Sequence, residues 1–237
     1  MRVTTKAIVI SSLKYQDKSL IVKCFTQSDG LKSYFVHNAF SSRSATRKTA
    51  YFQPLSILEV EANHKNKGTL ETFKEIRLAT PYVTVASDVI KSTIAIFLSE
   101  VLHHSIREEE KNEALFEFLE TALMWFDTHD EVANFHLIVL LQATKFLGFY
   151  PATSKKGERY FEMIEGVFSD SLAVSTLDEN ETHLFKRLMA LKFDSDQKVF
   201  SGNERSQLLK TLLDYYAFHL DGFKRPKSLD VLKEVFS

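Results

Sequence analysis

The feature that most limits the possible folds of this chain is a change of sequence pattern at Pro81. Before Pro81, short segments rich in β-branched and aromatic residues alternate with turn signals such as Asp29-Gly30. After Pro81, apolar residues recur at the spacing of helices. The 237 residues can bury one sizeable core or two modest ones, so we predict a small β-domain followed by a helical domain.

The β-rich part contains five predicted strands and no long helix. Five strands fit a Greek-key barrel of the OB type better than a sandwich, which needs about seven. We therefore predict an α+β multidomain protein, with a five-stranded OB-type barrel in residues 1–80 and an α-helical domain in residues 81–237. The predicted strands are residues 6–13, 19–26, 32–37, 55–61 and 69–77.

The helical part begins with a predicted helix over residues 83–110, for which Ser87 and Asp88 offer a later start. A central helix is predicted from residue 130 or 131 to Gly148, and it should be buried because residues 137–141 are apolar on every side. Residues 152–175 are irregular, with a possible short hairpin at 160–168. Further helices are predicted at 114–126, 178–191, 203–221 and 229–236.

The charge of the chain is divided unevenly between its two parts. Residues 1–80 contain 13 Lys and Arg against 6 Asp and Glu, whereas residues 81–237 contain 17 against 25. A net charge of -1 therefore hides a basic module and an acidic module. The basic module is predicted to meet polyanions, although a chance imbalance across one fold would give the same numbers.

Common catalytic and metal-binding motifs are absent from the sequence. The seven glycines are scattered, and GxGxxG, P-loop, GxSxG and HExxH patterns do not occur. His103 and His104 are adjacent and would point about 100° apart on a helix, so they are poor partners for one metal. Cys24 is the only cysteine, which excludes a disulfide and a zinc ribbon. We predict no enzyme activity, no cofactor and no metal site.

The predicted barrel has cations and aromatic residues where OB domains bind ligands, which is across strands two and three and on the loops after strands one and four. This combination is typical of single-strand nucleic-acid binding. Phe25 and Tyr34 could equally be core residues, and no residue indicates sequence-specific readout. The candidate nucleic-acid-binding residues are Lys14, Lys18, Lys23, Lys32, Tyr34, Arg43, Arg47, Lys48, Lys65 and Lys67.

Several short segments together resemble the RecO family of bacterial DNA repair and recombination mediators. They are TKAIVI at 5–10, FTQSDGLKS at 25–33, VHNAFSSRS at 36–44, QPL at 53–55 and LGFYP at 147–151. Their order and spacing cover nearly the whole chain. The resemblance implies an N-terminal OB domain and a C-terminal helical domain, in agreement with the patterns above.

The resemblance also implies a function without catalysis. Family members bind single- and double-stranded DNA, anneal complementary strands and, with RecR, help RecA to load onto DNA covered by single-strand-binding protein. Many carry a four-cysteine zinc site just after the LGxxP segment. Residues 152–166 contain no cysteine here, so we expect a form without zinc in which residues 160–168 pack in place of the metal.

The resemblance further implies a docking site for the acidic, apolar-tipped tail of single-strand-binding protein, in some members on the helical domain. Such a tail needs a hydrophobic pocket rimmed by cations. The principal candidates are Lys145, Lys155, Lys156 and Arg159. Lys186 and Arg187 are a second candidate pair. A solvated loop without a partner would explain either cluster equally well.

Two other classes of function stay open from the sequence. One is a protein-interaction module without a nucleic-acid role, which a discontinuous basic stripe would favour. The other is an RNA-binding OB protein, which a preference for RNA over DNA would favour. The sequence has no signal-peptide apolar region and no run that approaches a membrane span, so we expect a cytoplasmic, nucleoid-associated protein without membrane contact.

Overall fold

The computed structural model describes residues 1–40, 49–65, 68–107, 111–155, 157–195 and 199–236. The chain divides into two compact units, Met1–Thr128 and His129–Ser237. The first unit therefore includes helical segments besides the β-rich segment. A domain boundary near residue 80 stays a prediction.

The first unit contains the predicted five-stranded antiparallel sheet, so the OB-type fold is confirmed. The sheet order is β3-β2-β1-β4-β5. The two edge strands meet at one parallel bridge between Tyr34 and Glu71, where the Phe35 amide donates to the Glu71 carbonyl at 2.8 Å. The strands are β1 (Arg2–Tyr15), β2 (Ser19–Thr26), β3 (Gly30–Val36), β4 (Ile57–Asn63) and β5 (Thr72–Leu78).

The core of this sheet is formed by alternate residues of its strands, as the two-residue period of a strand requires. Val22 and Cys24 of β2 face Tyr34 and its neighbours of β3, and all three side chains are buried. The aromatic ring of Phe73 stacks on Tyr34 with a centroid distance of 4.0 Å. These contacts fix which side of each strand points away from the core.

The first unit also contains helices α1 (Val89–Ser105) and α2 (Glu113–Thr128). The helix predicted over residues 83–110 starts later, because the Asp88 carboxylate caps it by accepting from the Lys91 amide at 2.9 Å. The helices cover part of the outer side of the sheet: α1 packs on β1, and the Phe25 and Phe116 rings lie 5.9 Å apart.

The segment before α1 is held by one carboxylate, that of Asp127 at the end of α2. Its oxygens accept from the backbone amides of Val83, Thr84 and Val85 at 2.8–3.1 Å. Burial raises the pKa of the Asp127 carboxyl, but these hydrogen bonds outweigh burial and the net shift is downward. This bonding explains why residues 83–85 are not helical.

The second unit is built on the buried helix α3 (Phe135–Leu147), as the apolar run 137–141 predicted. The helix begins later than residue 131 and ends at Gly148, whose φ of 87° is a left-handed conformation that favours glycine. In the described part of the chain after α3, three α-helices follow. They are α4 (Glu179–Ala190), α5 (Gly202–His219) and α6 (Leu229–Val235).

The predicted hairpin at 160–168 is present as part of a small sheet of order β7-β6-β8. Its strands are β6 (Tyr160–Glu162), β7 (Val167–Ser169) and β8 (Thr176–Leu177). The buried Phe161 ring lies 4.7 Å from Phe185, 4.9 Å from Phe168 and 5.6 Å from Tyr215. Aromatic packing therefore stabilises this segment.

Two further observations concern metals and membranes. Among the residues that the structure describes, no group of three or more His, Cys, Asp and Glu could hold a metal ion. Within the same ranges, no helix combines the length and the apolar character that crossing a bilayer requires.

Candidate nucleic-acid interface

The outer side of β1, β2 and β3 carries an apolar and aromatic surface. Leu13 is 63% exposed and Tyr15 is 45% exposed. The Tyr15 ring meets Phe35 edge-on at 5.8 Å, and Phe35 meets His37 at 4.4 Å. Ile21 joins this surface because it lies opposite both Leu13 and Phe35 in the sheet. We call Leu13, Tyr15, Ile21, Phe35 and His37 the aromatic face.

The aromatic face has the chemistry of a stacking platform. Bases of any sequence can stack on exposed aromatic rings, because every base has a flat π-face. In OB domains this side of strands two and three is the usual ligand-binding surface. The aromatic face is therefore suited to a single nucleic-acid strand.

Two candidate lysines lie next to the aromatic face, at the β1–β2 turn. Lys14 and Lys18 are exposed, and neither forms an ion pair with any residue that the structure describes. The Lys14 ammonium lies 5.9 Å from the ring centre of Phe40, which is also exposed. Their charge is therefore available to phosphates. Lys65, after β4, is likewise exposed, and its amide donates to Glu71 at 2.8 Å.

The cations on β5 and the start of β1 are instead paired with glutamates, two of which lie on β4. We call Arg2, Lys6, Lys74 and Arg77 the ion-paired set. Arg2 lies 2.7 Å and Lys74 3.8 Å from Glu61. Arg77 lies 2.6 Å from Glu59, and Lys6 lies 2.7 Å from Glu120 of α2. These carboxylates compensate the positive charge of this half of the sheet.

The ion pairs of Arg2 and Arg77 also change the pKa values of the glutamates that they contact. A hydrogen bond from Arg77 lowers the pKa of Glu59, and a hydrogen bond from Arg2 lowers the pKa of Glu61. Both carboxylates therefore stay charged to a lower pH than an isolated glutamate.

Two candidate nucleic-acid-binding residues of β3 lie on the opposite, buried side of the strand, away from the aromatic face. Tyr34 is 0% exposed and Lys32 is 7% exposed. The Tyr34 hydroxyl is hydrogen-bonded to His64 Nε2 at 2.7 Å, and His64 Nδ1 lies 3.0 Å from Asp29. Burial raises the pKa of Tyr34. Tyr34 is thus the core residue that the sequence left open as an alternative.

The structure brings Lys23 and Lys32 together around one cavity of about 290 Å³. Lys23 points to the outer side, because its partner residues in the sheet are Ser11 and Ser33. Arg107, which was not among the candidates, also lines this cavity. No sequence signal pointed to Arg107, since it follows a helix far from the strands along the chain.

Four candidates lie outside the described residues, namely Arg43, Arg47, Lys48 and Lys67.

Phe35 was not among the candidates, although it belongs to the predicted third strand. Its alternation with Tyr34 was the available signal, but alternation does not say which side is inward.

The candidate partner-binding residues of the second unit have partners of their own. The Lys145 ammonium lies 4.5 Å from the ring centre of Tyr150, and Arg159 pairs with Glu179 at 3.2 Å. The exposed Lys155 donates its backbone amide to Glu158. Lys156 lies outside the described residues.

The alternative candidates in the same unit, Lys186 and Arg187, also have bonding partners. The Lys186 ammonium donates to the Glu158 carbonyl at 2.6 Å, and Arg187 pairs with Glu204 at 2.8 Å. A docking role for either cluster stays a prediction.

Comparison with known proteins gives a consistent result over the whole chain. Residues 1–82 match the family model described as recombination protein O N terminal, and residues 86–230 match that of recombination protein O C terminal. Relatives named DNA repair protein RecO occur in Flavobacterium psychrophilum, 66% identical, and in Flavobacterium johnsoniae, 65% identical; each match covers 100% of both chains. A relative of the same name from Christiangramia forsetii is 40% identical, also over 100% of both chains.

Proposed function

This chain belongs to the RecO family, and from that premise we propose that it is a DNA-binding recombination mediator that makes and breaks no covalent bond. The membership supports a role in DNA repair and recombination. The finer proposal is that it binds single- and double-stranded DNA and anneals complementary strands. We place the single-strand contact on the aromatic face.

The observation that carries this proposal is the pairing of the aromatic face with cations that have no carboxylate partner among the described residues. Tyr15 and Phe35 offer rings for bases, while Lys14 and Lys18 offer charge for phosphates. Stacking on such rings contributes about 1–3 kcal/mol for each base. Phosphate neutralisation adds a contribution that is independent of sequence and falls with salt.

The same chemistry accounts for annealing. Two complementary strands repel each other through their phosphates, and cations near one bound strand reduce that repulsion. Stacking holds the bases without reading their Watson–Crick edges, so a second strand can pair with them. Arg43, Arg47, Lys48, Lys65 and Lys67 remain proposed contributors to this charge.

The proposed partners follow from the family and not from a contact in the structure. With RecR, the protein would help RecA to load onto DNA covered by single-strand-binding protein, in association with the nucleoid. The acidic tail of single-strand-binding protein is proposed to dock at the Lys145, Lys155, Lys156 and Arg159 region. Arg159 would then give up its ion pair with Glu179 and pair with a carboxylate of the tail.

The experiment that tests the proposal is an anisotropy titration of a labelled DNA single strand with the full chain. We expect the double variant Tyr15→Ala with Phe35→Ala to bind roughly 5- to 150-fold more weakly for each base that no longer stacks, because its rings are removed. The matched control is Phe218→Ala, which removes a half-exposed ring in the second unit.

Wild-type affinity in the double variant would remove the aromatic face from the proposal. Absence of DNA binding by the wild-type chain at low salt would contradict DNA binding altogether. An RNA strand of equal length serves as the competitor, and a strong preference for it would favour the RNA-binding alternative.

A further inference from the structure

Beyond Val9, one edge of β1 has no neighbouring strand in the described part of the chain. The backbone hydrogen bonds along this edge end with Val9, which bonds to Leu55 and Ser56 at 2.9 Å. On its other edge, β1 continues to pair with β2 as far as Tyr15. Residues 12–15 are exposed, so their unpaired edge is open to solvent.

Ser12 and Lys14 present their backbone groups to this open edge. Along a strand, side chains alternate between the two sides of the sheet while backbone N–H and C=O groups alternate between its two edges. Side and edge are linked by the chirality of L-residues, so the link holds across the register shift after Val9. Val9 has its side chain in the core and its backbone groups on the edge towards β4. Ser12 and Lys14 share that orientation, because they lie opposite the core residues Val22 and Leu20.

The open edge is complementary to itself in one antiparallel register. With Leu13 opposite Leu13 of a second copy, Ser12 of each copy lies opposite Lys14 of the other. Ser12 and Lys14 then exchange backbone hydrogen bonds, and the two leucines form the non-hydrogen-bonded pair between them. Tyr15 of each copy lies opposite Ser11 of the other. An axis at Lys14 would instead place two ammonium groups opposite each other, which is unfavourable.

This register would join two aromatic faces into one surface. An antiparallel pair whose opposite side chains share a side has its two-fold axis perpendicular to the sheet. Leu13, which is 63% exposed, and Tyr15, which is 45% exposed, would therefore point to the same side in both copies. The axis reverses one copy relative to the other, so two DNA strands held in the same way would run in opposite directions. Base pairing requires that orientation.

We propose that two copies of this chain pair through the open edge of β1 during annealing, so that each copy presents its strand to the other. The inference rests on the proposed function, and it names the surface at which two protein–DNA complexes meet. The contact involves a few residues of each copy and falls below the area of about 1,000 Å² that a stable interface needs. Pairing therefore requires complementary strands that hold the two copies close together and raise their effective concentration.

The first test is disulfide cross-linking of the full chain during annealing of two complementary DNA strands. Opposite residues of a non-hydrogen-bonded pair have Cα atoms about 4.5 Å apart, which is within reach of a disulfide, so Leu13→Cys should give a covalent dimer under mild oxidation. The matched control is Ser11→Cys on the same side of β1. Its two copies would be about 13 Å apart along the strands, beyond that reach. The native Cys24 is buried.

The second test uses the charge opposite Lys14. Annealing is followed by energy transfer between two labelled strands, at protein concentrations that anisotropy shows to be saturating. Ser12→Lys puts two lysines opposite each other at both ends of the contact, so annealing should slow roughly 2- to 30-fold, although the added cation favours DNA binding. Ser12→Glu pairs with Lys14 of the second copy and should anneal faster than Ser12→Lys, although it binds DNA more weakly.

The outcomes separate this inference from the proposed function. Cross-linking of Leu13→Cys alone, together with faster annealing by Ser12→Glu than by Ser12→Lys, would support the pairing. Equal or absent cross-linking of the two cysteine variants, or annealing rates that follow DNA affinity, would overturn it and leave DNA binding intact. Absence of DNA binding by the wild type would contradict the proposed function as well. If circular dichroism shows that a cysteine variant is unfolded, the order of the two Ser12 variants decides.

Discussion

The two halves of the N-terminal sheet carry cations in different states. On β5 and the start of β1, the four cations of the ion-paired set each have a glutamate within 4 Å. At the β1–β2 turn, Lys14 and Lys18 have no such partner among the described residues, and they adjoin exposed rings. The net charge of residues 1–80 does not distinguish these halves.

The difference shows that local pairing, more than the number of cations, decides where a polyanion can bind. A phosphate that approaches Arg77 must compete with Glu59 at 2.6 Å, whereas one that approaches Lys18 displaces only water and counterions. The predictions below first test which side of β3 carries the aromatic face, with the neighbouring residues Tyr34 and Phe35, and then test the contrast between the cations.

The largest effect is expected from Tyr34→Ala compared with Phe35→Ala. Tyr34 is fully buried and stacked on Phe73, so its truncation should lower the free energy of unfolding by about 3–5 kcal/mol. Phe35→Ala should lower it by much less, because that ring is partly exposed. Urea unfolding followed by the fluorescence of Trp125, the only tryptophan, measures both.

Tyr34→Phe is the matched control for the ring itself. It keeps the stacking but removes the hydroxyl bonded to His64, which should cost about 1–3 kcal/mol. Equal stability of Tyr34→Ala and Phe35→Ala would mean that the assignment of the two sides of β3 is wrong.

A smaller effect is expected from the charges alone. Lys14→Gln with Lys18→Gln should weaken single-strand binding roughly tenfold and reduce the salt slope by about 0.7 for each phosphate left without its cation. Arg2→Gln with Arg77→Gln should change both quantities little, because these guanidiniums are already paired. Anisotropy titration at several salt concentrations measures the two variants side by side, and equal losses of affinity would refute the contrast between the halves.

The smallest effect concerns pH. Because Arg77 lowers the pKa of Glu59 below its ordinary value of 4.5, the ion pair contributes stability above that value and loses it as pH falls through the lowered pKa. An NMR titration of the Glu59 carboxyl should therefore have its midpoint below 4.5 in the wild type. In Arg77→Gln the midpoint should move up towards that value, and an unchanged midpoint would exclude Arg77 as the cause.

Much of the first unit could be predicted because its signals are local. The second strand was predicted with its observed bounds, Ser19–Thr26, from its β-branched run and the turns around it. The buried α3 followed from an apolar run on every side of a helix. The capping role of Asp88 was recognised as a possible later start for α1.

Which side of β3 faces the core could not be predicted, because this depends on contacts with residues far away along the chain. Both Tyr34 and Phe35 are aromatic, so alternation alone does not choose between them. The choice is made by Phe73 and His64, which reach Tyr34 from β5 and from the residue after β4. The ion pair of Lys6 with Glu120 and the place of Arg107 in the cavity depend on similarly distant segments.

The Asp127 carboxylate has a consequence for how this protein can evolve. The two family-matched segments, 1–82 and 86–230, are separated by residues 83–85, whose amides all bind that carboxylate. A genetic exchange that replaced everything after residue 85 would remove the acceptor of these amides and the Phe116 ring that packs on Phe25. The join between the two segments is therefore a poor point for shuffling modules, and residues 1–128 should be inherited as one unit.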